Sequence, residues 1–278
     1  MTRKVLLFDL DGTLLKSDKT ISNNTLEVIQ KCKQLNYFIG VSTSRSENNC
    51  IKIISEIKPE IIICSGGALI KYNNHYIYKA EFTVEETKNI INTVREICGY
   101  NCEITVDTLD RHYWNYNINP KIINKSWGES IYTDYTDFFE SALKISVKIS
   151  EQSHVNKITE IFKNYDVLRF TGSDWYKFTL KNVTKENAIL NICNVIDINI
   201  MDVIAFGDDL VDIGMLKVCG KGIAMGNSVN EVKSIADVII DSNDNDGIAK
   251  YLTETLLCSN SLLLSLIHIS EPTRLQLI

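Results

Sequence analysis

Acidic, hydroxyl and lysine side chains flank several apolar stretches of this 278-residue sequence. They are Asp9, Asp11, Thr43, Ser44, Lys185, Asp208, Asp209 and Asp212. Carboxylate oxygens are suitable ligands for Mg²⁺, and a carboxylate can also attack phosphorus to form an aspartyl-phosphate. Acids, a hydroxyl and a lysine that meet at one place would therefore form a site for phosphoryl transfer, provided that the fold brings them together.

Most of these side chains stand next to short, almost entirely apolar runs that alternate with helical patterns. The runs are residues 4–8, 38–41, 61–64, 201–206 and 238–240. The helical patterns cover residues 25–35, 50–57, 185–195 and 248–257. Such alternation is typical of a parallel sheet covered on both faces, so we predict an α/β fold with a doubly wound, Rossmann-like core. Ligands of these sheets bind beyond the carboxyl ends of the strands, where most of the acids stand.

The pattern changes in the middle of the chain. Residues 142–149 alternate strictly between apolar and polar side chains, which predicts a strand of an antiparallel sheet with one solvent-facing side. Helical patterns at residues 85–98 and 155–162 and a strand pattern at 174–180 accompany it. We therefore expect a core made of residues 1–82 and 184–258, interrupted by an inserted α+β cap at residues 83–183.

Charge and composition exclude several classes of protein. The formal net charge is −6, with 29 Lys and Arg against 35 Asp and Glu, whereas a protein that mainly binds nucleic acid needs a basic face. No apolar run reaches the roughly 18 residues of a membrane-spanning helix, and the first residues leave no room for a signal peptide. The 8 Cys form no C-x-x-C pair, which favours reduced thiols in a cytoplasmic protein. We expect neither nucleic acid nor membrane as a partner, and the oligomeric state stays open.

The end of the sequence needs separate treatment. Residues 264–274, with the sequence LSLIHISEPTR, resemble the translation of a sequencing-library adapter. A native amphipathic tail is the alternative interpretation. We treat residues 264–278 as an assembly artefact and leave them out of the functional argument, so the native C-terminus beyond about residue 260 stays open.

Several short motifs, taken together and in order, make the sequence similar to the haloacid dehalogenase (HAD) superfamily and, within it, to Cof-type phosphatases with a type II cap. They are FDLDGT at 8–13, TSR at 43–45, VTK at 183–185, AFGD at 205–208, ML at 215–216, AMGN at 224–227 and AD at 236–237. The resemblance covers nearly all of residues 4–257. It implies a Mg²⁺-dependent phosphatase that hydrolyses small phosphomonoesters, such as sugar, nucleotide or cofactor phosphates, through an aspartyl-phosphate intermediate.

The same resemblance implies roles for the residues that would handle the substrate. Asp9 is the expected nucleophile. Asp11 is the expected general acid that protonates the leaving alcohol, and then the base that activates water. Thr43, Ser44 and Lys185 are expected to hold the phosphoryl oxygens.

A magnesium site is also implied by the resemblance. Asp9, the backbone carbonyl of Asp11, and Asp208 are the expected ligands, with Asp212 and Asp209 in supporting positions. Elementary electrostatics agrees with this, because Asp9 and Asp208 would repel each other at close range unless a cation lay between them. The cation would also keep Asp9 ionised, as a nucleophile must be.

Three residues of interest depart from the family pattern. Val211 and Gly66 stand where the family usually has Asn, and Lys177 stands where it usually has Glu. The first two changes remove amides that could bind phosphate or orient the cap. We expect turnover to survive these changes, with an altered rate or substrate choice.

The cap is expected to cover the site and to contact the leaving group. Candidate contacts are Arg111, His112, Tyr113, Trp114, Arg169 and Phe170. Packing in the core of the cap is the alternative role for the aromatic ones. Two other functions also stay open, namely a phosphosugar mutase on the same fold and a non-catalytic protein that binds a phosphate ligand. Which phosphomonoester is used cannot be read from the sequence.

Overall fold

The computed structural model of the chain describes residues 3–117, 119 and 128–257. In chain order its strands are β1 (Val5–Phe8), β2 (Phe38–Ser42), β3 (Ile61–Cys64), β4 (Leu69–Tyr72), β5 (His75–Lys79), β6 (Ile104–Asp107), β7 (His112–Trp114), β8 (Ile131–Tyr132), β9 (Lys144–Lys148), β10 (Tyr165–Arg169), β11 (Trp175–Leu180), β12 (Val203–Gly207), β13 (Lys221–Ala224) and β14 (Val238–Ile239). Its α-helices are α1 (Asn23–Gln34), α2 (Glu47–Ile54), α3 (Val84–Cys98), α4 (Gln152–Ile161), α5 (Lys185–Val195), α6 (Ile213–Val218), α7 (Asn230–Lys233) and α8 (Gly247–Leu252).

The larger sheet has 8 strands in the order β14-β13-β12-β1-β2-β3-β4-β5. The strands from β14 to β3 pair in parallel, whereas β4 and β5 are added as antiparallel neighbours. The parallel α/β core predicted from the apolar runs is therefore confirmed. The β4–β5 hairpin is not indicated by those runs, because its polar and exposed residues show no continuous apolar pattern.

Both faces of the parallel part of this sheet are buried, which explains why strands such as β1 and β3 are apolar throughout. In β1, Leu6 and Phe8 enter one hydrophobic cluster, and Val5 and Leu7 enter the cluster on the opposite face. Successive side chains of a strand point to opposite faces, so a strand between two layers of helices needs apolar residues at every position. Strand β1 is therefore fixed by packing on both faces, and Asp9 follows its last residue directly.

The smaller sheet has 6 strands in the order β10-β11-β9-β6-β7-β8 and is antiparallel except for the β7–β8 pair. Helices α3 and α4 cover one of its faces, where Ile90 and Ile158 pack with Ile145 and Val147 of β9. The predicted alternation of β9 is thus present. We keep residues 83–183 as the proposed cap and residues 1–82 with 184–258 as the proposed core.

The polar face of β9 differs from the prediction, because two of its three residues, Lys144 and Ser146, are shielded from solvent and only Lys148 is exposed. Lys144 is 6% exposed and Ser146 is 5% exposed. This face is turned towards the edge of the larger sheet, and Lys144 Nζ donates a hydrogen bond of 2.5 Å to the Ser44 carbonyl oxygen. The polar residues of the strand therefore line the interior between the two sheets.

Smaller differences concern the ends of elements. Helix α2 begins at Glu47, earlier than the predicted start at residue 50, and a 3₁₀ turn at Ile200–Asp202 precedes β12. Within the described residues, no helix is long and apolar enough to cross a membrane. Seven cysteines of the described part of the chain are free thiols. The adapter-like residues 264–278 lie outside the described residues.

Candidate active site

The neighbouring strands β12, β1 and β2 bring the predicted acids and hydroxyls to one edge of the larger sheet. Asp9 follows β1, Thr43 follows β2, and Asp208 follows β12. Because the three strands are parallel neighbours, their carboxyl ends lie side by side. Helix α5 begins at the same edge with Lys185, and the Thr184 side chain caps it by accepting a hydrogen bond from the Asn187 backbone N–H.

Lys185 is the cationic centre of the site. Its Nζ lies 2.5 Å from Asp9 Oδ1 and 2.6 Å from Asp212 Oδ1, and the lysine is 2% exposed. Burial alone would lower the pKa of Lys185, but the carboxylates of Asp212 and Asp9 outweigh it and raise the pKa above its ordinary value. Lys185 is therefore charged, and it holds both carboxylates in place.

Three carboxylates form an acidic cluster beside this lysine. Oxygen atoms of Asp9, Asp208 and Asp212 all lie within 4.8 Å of one another. Burial, followed by repulsion from Asp212, raises the pKa of Asp208 to about 7. Burial also raises the pKa of Asp9 well above its ordinary value, against the attraction of Lys185. The crowding of buried negative charge makes the cluster a suitable site for a cation.

Backbone and hydroxyl donors hold the acids of this cluster in position. Asp212 Oδ2 accepts hydrogen bonds of 3.1 Å from the backbone N–H groups of both Asp208 and Asp209. Thr13 Oγ1 donates a hydrogen bond of 2.8 Å to Asp208 Oδ1. The side chain of Asp209 accepts a hydrogen bond from the Leu210 backbone N–H and so caps the 3₁₀ turn Leu210–Asp212. Asp209 thus supports the acidic loop and is not part of the cluster.

Asp11 is bound by two cations and is not a member of the acidic cluster. Arg45 donates two hydrogen bonds of 2.7 Å to its carboxylate, from Nε to Oδ2 and from Nη2 to Oδ1. Lys19 Nζ lies 2.8 Å from the same Oδ1 atom. Burial would raise the pKa of Asp11, but hydrogen bonds and charge from Arg45 and Lys19 lower it below its ordinary value. The contact to Lys19 was not predicted, because a loop lysine has no local pattern that identifies its partner.

The two hydroxyl residues that follow β2, Thr43 and Ser44, line the same site. Thr43 is 1% exposed, and its Oγ1 accepts a hydrogen bond of 3.1 Å from the Arg45 backbone N–H, so its own hydroxyl proton can point elsewhere. The hydroxyl of Ser44 is buried without a hydrogen-bond partner among the described residues. Both residues line a cavity that also reaches Asp9 and Asp212.

This cavity has a volume of about 690 Å³ and lies between the edge of the larger sheet and the polar face of the cap. Of the candidate cap contacts, His112, Trp114 and Phe170 line it. Tyr113 instead packs edge-on against Phe138 in the core of the cap, because alternate residues of β7 point to opposite faces. Arg111 and Arg169 have side chains that are more than half exposed.

Asp107, at the end of β6, is a residue of this cavity that the sequence did not indicate. It is 1% exposed and binds Lys144 Nζ at 2.8 Å, His112 Nδ1 at 2.5 Å and Ser65 Oγ at 3.2 Å. Burial would raise its pKa, but the charges and hydrogen bonds of Lys144 and His112 lower it. No sequence motif surrounds Asp107, because its partners come from three other segments of the chain.

The fold and the site place a buried lysine and a cluster of carboxylates at one edge of a mostly parallel sheet. The family model of haloacid dehalogenase-like hydrolases matches residues 6–252. The chain therefore belongs to this family, and the resemblance inferred from its motifs is confirmed.

Several relatives of the chain are named as phosphatases. It is 27% identical over 256 residues to the 5-amino-6-(5-phospho-D-ribitylamino)uracil phosphatase YcsE of Bacillus subtilis (strain 168), covering 91% of this chain and 96% of the relative. The solved structure of the HAD subclass IIB sugar phosphatase BT4131 is similar with a TM-score of 0.77 and 22% identity, covering 90% of this chain and 98% of that one. The structure of SMU.1108c from Streptococcus mutans UA159 has a TM-score of 0.79 and 19% identity, covering 92% and 100%. At these identities the solved structures bear on the fold alone.

Proposed function

We propose that the chain is a Mg²⁺-dependent phosphatase that hydrolyses small phosphomonoesters through an aspartyl-phosphate on Asp9. The observation that carries the proposal is the buried 2.5 Å contact between Lys185 and Asp9, beside two further carboxylates. A carboxylate at the end of a strand, held by a lysine and open to a cavity, is a suitable nucleophile for phosphorus.

The acidic cluster fits Mg²⁺ by its chemistry. All of its donors are carboxylate oxygens, which Mg²⁺ prefers, and their mutual repulsion in a buried position favours a cation. We propose that Asp9, Asp208 and the backbone carbonyl of Asp11 hold the ion, with Asp212 and Asp209 in support. When bound, Mg²⁺ neutralises phosphate charge and keeps the nucleophile ionised.

In the first half of the reaction, Asp9 displaces the leaving alcohol. Its Oδ1 is held by Lys185, and no described residue donates a hydrogen bond to Oδ2, so we propose Oδ2 as the attacking atom. The Oδ2–P bond forms, the ester P–O bond breaks, and the electron pair goes to the leaving oxygen. Asp11 donates a proton to that oxygen. Asp11 must first take up this proton, because Arg45 and Lys19 favour its ionised form.

In the second half, water hydrolyses the aspartyl-phosphate. Asp11 is now a carboxylate, and it accepts a proton from the attacking water. The water oxygen bonds to phosphorus, the Asp9 Oδ2–P bond breaks, and inorganic phosphate leaves. Arg45 and Lys19 stabilise the carboxylate form that this step needs. The cap limits the access of other water to the cavity.

The phosphoryl oxygens need donors throughout the reaction. We propose that Thr43, Ser44 and Lys185 supply them. The hydroxyl of Ser44 has no other partner among the described residues, and the Thr43 hydroxyl oxygen accepts a hydrogen bond while its proton stays available. The ammonium of Lys185 offers three protons, two of which are directed at Asp9 and Asp212.

The walls of the cavity favour a polar leaving group. Four polar atoms of its lining residues are buried without hydrogen-bond partners among the described residues, namely Ser44 Oγ, Ser46 Oγ, Asn49 Oδ1 and Trp114 Nε1. Buried polar groups are normally paired, so hydroxyl or amide groups of a substrate would satisfy them. The name of the relative YcsE specifies a phosphate carried on a ribityl chain, and this supports a polyhydroxy ester for the present chain.

The experiment is the hydrolysis of a generic aryl phosphate with and without Mg²⁺. We expect phosphate release that depends on Mg²⁺ and that Asp9→Asn abolishes, because an amide cannot act as the nucleophile. Asp137→Asn is the matched control, since Asp137 is exposed and is not among the residues that line the cavity. Equal rates for the Asp9→Asn variant and the wild type would refute the proposed reaction.

Two alternatives predict different products. A phosphosugar mutase would convert a sugar phosphate into its isomer without net release of phosphate. A non-catalytic phosphate-binding protein would bind ligand without product even with Mg²⁺, and Val211, which lines the cavity, would be the first residue to change to Asn. We further propose a cytoplasmic location, which the free cysteines support.

A further inference from the structure

One lysine of the cap is buried without a partner for its charge. Lys177 lies in β11 and is 4% exposed, and no described residue forms a hydrogen bond or an ion pair with its Nζ. The two other buried lysines nearby are paired, Lys144 with Asp107 at 2.8 Å and Lys185 with Asp9 at 2.5 Å. A buried ammonium without a counter-charge is unfavourable, so Lys177 destabilises the folded protein unless an anion binds beside it.

The neighbouring charges with the largest influence on the pKa of Lys177 are positive and repel its ammonium. After burial itself, Lys144 and Lys185 are the largest influences on it, and together these lower the pKa of Lys177 from 10.5 to about 8. Three lysines therefore crowd into the space between the cap and the edge of the larger sheet. An anion entering this space would find an unsatisfied positive charge.

Two acidic groups attract Lys177 without forming an ion pair with it. They are Glu186 and Asp166. Asp166 binds Lys181 at 3.0 Å, and the Glu186 carboxylate packs beside Gly214, where an added Cβ would lie 2.4 Å from it. Neither carboxylate forms an ion pair with Lys177, so within the described residues its charge has no direct partner.

The position of Lys177 connects it with the site. A Cβ on Gly66 would lie 3.1 Å from Lys177 Nζ, and the Gly66 backbone N–H donates to the Thr43 carbonyl oxygen at 3.0 Å. Lys177 pairs in register with Ser146 of β9, and Ser146 and Lys144 both line the cavity. The ammonium thus lies where the cap meets the loop that follows β3, next to the turn that follows β2.

We propose that Lys177 is a subsite for a second anionic group of the substrate, so that the preferred substrate is a phosphomonoester whose leaving group carries a carboxylate or a second phosphate. This inference rests on the phosphatase reaction proposed above. The scissile phosphoryl group belongs beside Asp9, where Lys185 is already paired. Lys177 comes from the cap, which covers the leaving group, and it therefore meets the part of the substrate that varies.

The test compares phosphate release from two matched pairs of esters. The pairs are 3-phosphoglycerate with glycerol 3-phosphate, and fructose 1,6-bisphosphate with fructose 6-phosphate. The first member of each pair has an added carboxylate or phosphate. The value of kcat/KM is measured for the wild type, for Lys177→Met, and for Lys163→Met, an exposed lysine of the cap that serves as control.

We expect the wild type to favour the more anionic member of at least one pair by about 10- to 100-fold in kcat/KM, as a charge-assisted hydrogen bond in a buried place allows. Lys177→Met should reduce that preference to about 1, since methionine fills the same space without charge. Lys163→Met should retain it. The pair that shows the preference tells whether the subsite takes a carboxylate or a phosphate.

Two results would overturn the inference while leaving the phosphatase reaction intact. One is equal kcat/KM for both members of both pairs in the wild type. The other is an equal loss on all four esters in Lys177→Met, which would assign Lys177 to the scissile phosphoryl group. Failure of the phosphatase reaction itself is distinct, because then even the generic aryl phosphate releases nothing. Lys177→Gln repeats the comparison if the methionine variant does not fold.

Discussion

The three buried lysines of the site differ in how their charge is balanced. Lys144 and Lys185 each face a carboxylate, whereas Lys177 faces none and has a pKa lowered from 10.5 to about 8, chiefly by burial. One pKa unit corresponds to about 1.4 kcal/mol. Keeping Lys177 charged at neutral pH therefore costs the folded protein on the order of 3 kcal/mol. A bound anion would remove this cost, which couples ligand binding to stability.

At the scale of this residue, we expect Lys177→Met to raise the free energy of unfolding by about 3 kcal/mol at pH 7, because the methionine removes an unpaired buried charge. The pH dependence has a definite sign. Below pH 8 both states of the wild type carry the proton, so the variant has its full advantage. Between about pH 8 and 10.5 only the unfolded state keeps the Lys177 proton, so the stability of the wild type rises and the advantage of the variant disappears.

Urea unfolding at pH 7 and at about pH 9.5 measures this effect. The control is Lys163→Met, an exposed position at which the free energy of unfolding should change by less than about 0.5 kcal/mol. A Lys177→Met variant that is less stable than the wild type at pH 7 would show that the ammonium has a partner in the folded protein, and the proposed anion subsite would lose its basis.

At the scale of elements, strand ends explain why much of the site could be predicted. Asp9 and Asp208 follow runs that are apolar at every position, and such runs identify buried parallel strands from local sequence. Lys185 begins a helix whose cap, Thr184, is also local. The positions of these groups follow from short segments together with one rule about parallel sheets.

The remainder of the site depends on pairing between distant segments. Asp107 ends a four-residue strand, β6, and its partners Lys144, His112 and Ser65 are separated from it in sequence or lie in other elements. The alternation of β9 correctly predicts a strand but not what covers its polar face. Sequence periodicity reports how residues alternate, and only the tertiary arrangement decides which layer meets them.

One prediction at this scale concerns the short turn at Ser65–Gly67, which packs against the start of α5. Gly67 has φ +112°, and a Cβ there would lie 2.3 Å from the Thr184 carbonyl oxygen. We expect Gly67→Ala to lower the free energy of unfolding by about 3 kcal/mol or more, since left-handed strain and a backbone clash add. Turnover should fall as well, because the displaced residue precedes Lys185 directly. Thermal unfolding and aryl phosphate hydrolysis measure the two effects.

Gly99→Ala is the matched control for this turn. Gly99 also has a positive φ, +92°, but nothing lies within 4 Å of an added Cβ. The substitution should cost about 1–2 kcal/mol from the backbone conformation alone and leave turnover unchanged, since Gly99 is not among the residues that line the cavity. Equal losses of stability and activity at both glycines would mean that the contact with Thr184 does not position Lys185.

At the scale of the whole molecule, polar contacts hold the cap over the larger sheet. Lys144 Nζ binds the Ser44 carbonyl oxygen at 2.5 Å, and Ser65 Oγ binds Asp107 at 3.2 Å. Each contact joins a residue of the smaller sheet to a loop that follows a strand of the larger sheet. Because Lys144 and Asp107 also bind each other, the ion pair links both contacts into one network.

The last prediction compares two lysines on the same face of β9. Lys144→Met should lower the free energy of unfolding by about 3 kcal/mol, because it leaves Asp107 buried without its main counter-charge, and it should lower kcat/KM, since the cap loses its tie to Ser44. Lys148→Met is the control: its partner is Glu103 at 2.9 Å, and the lysine side chain is 45% exposed, so the cost should stay within about 1 kcal/mol. Urea unfolding and aryl phosphate kinetics of both variants provide the comparison. Equal effects of the two substitutions would mean that the buried network does not couple the cap to the site.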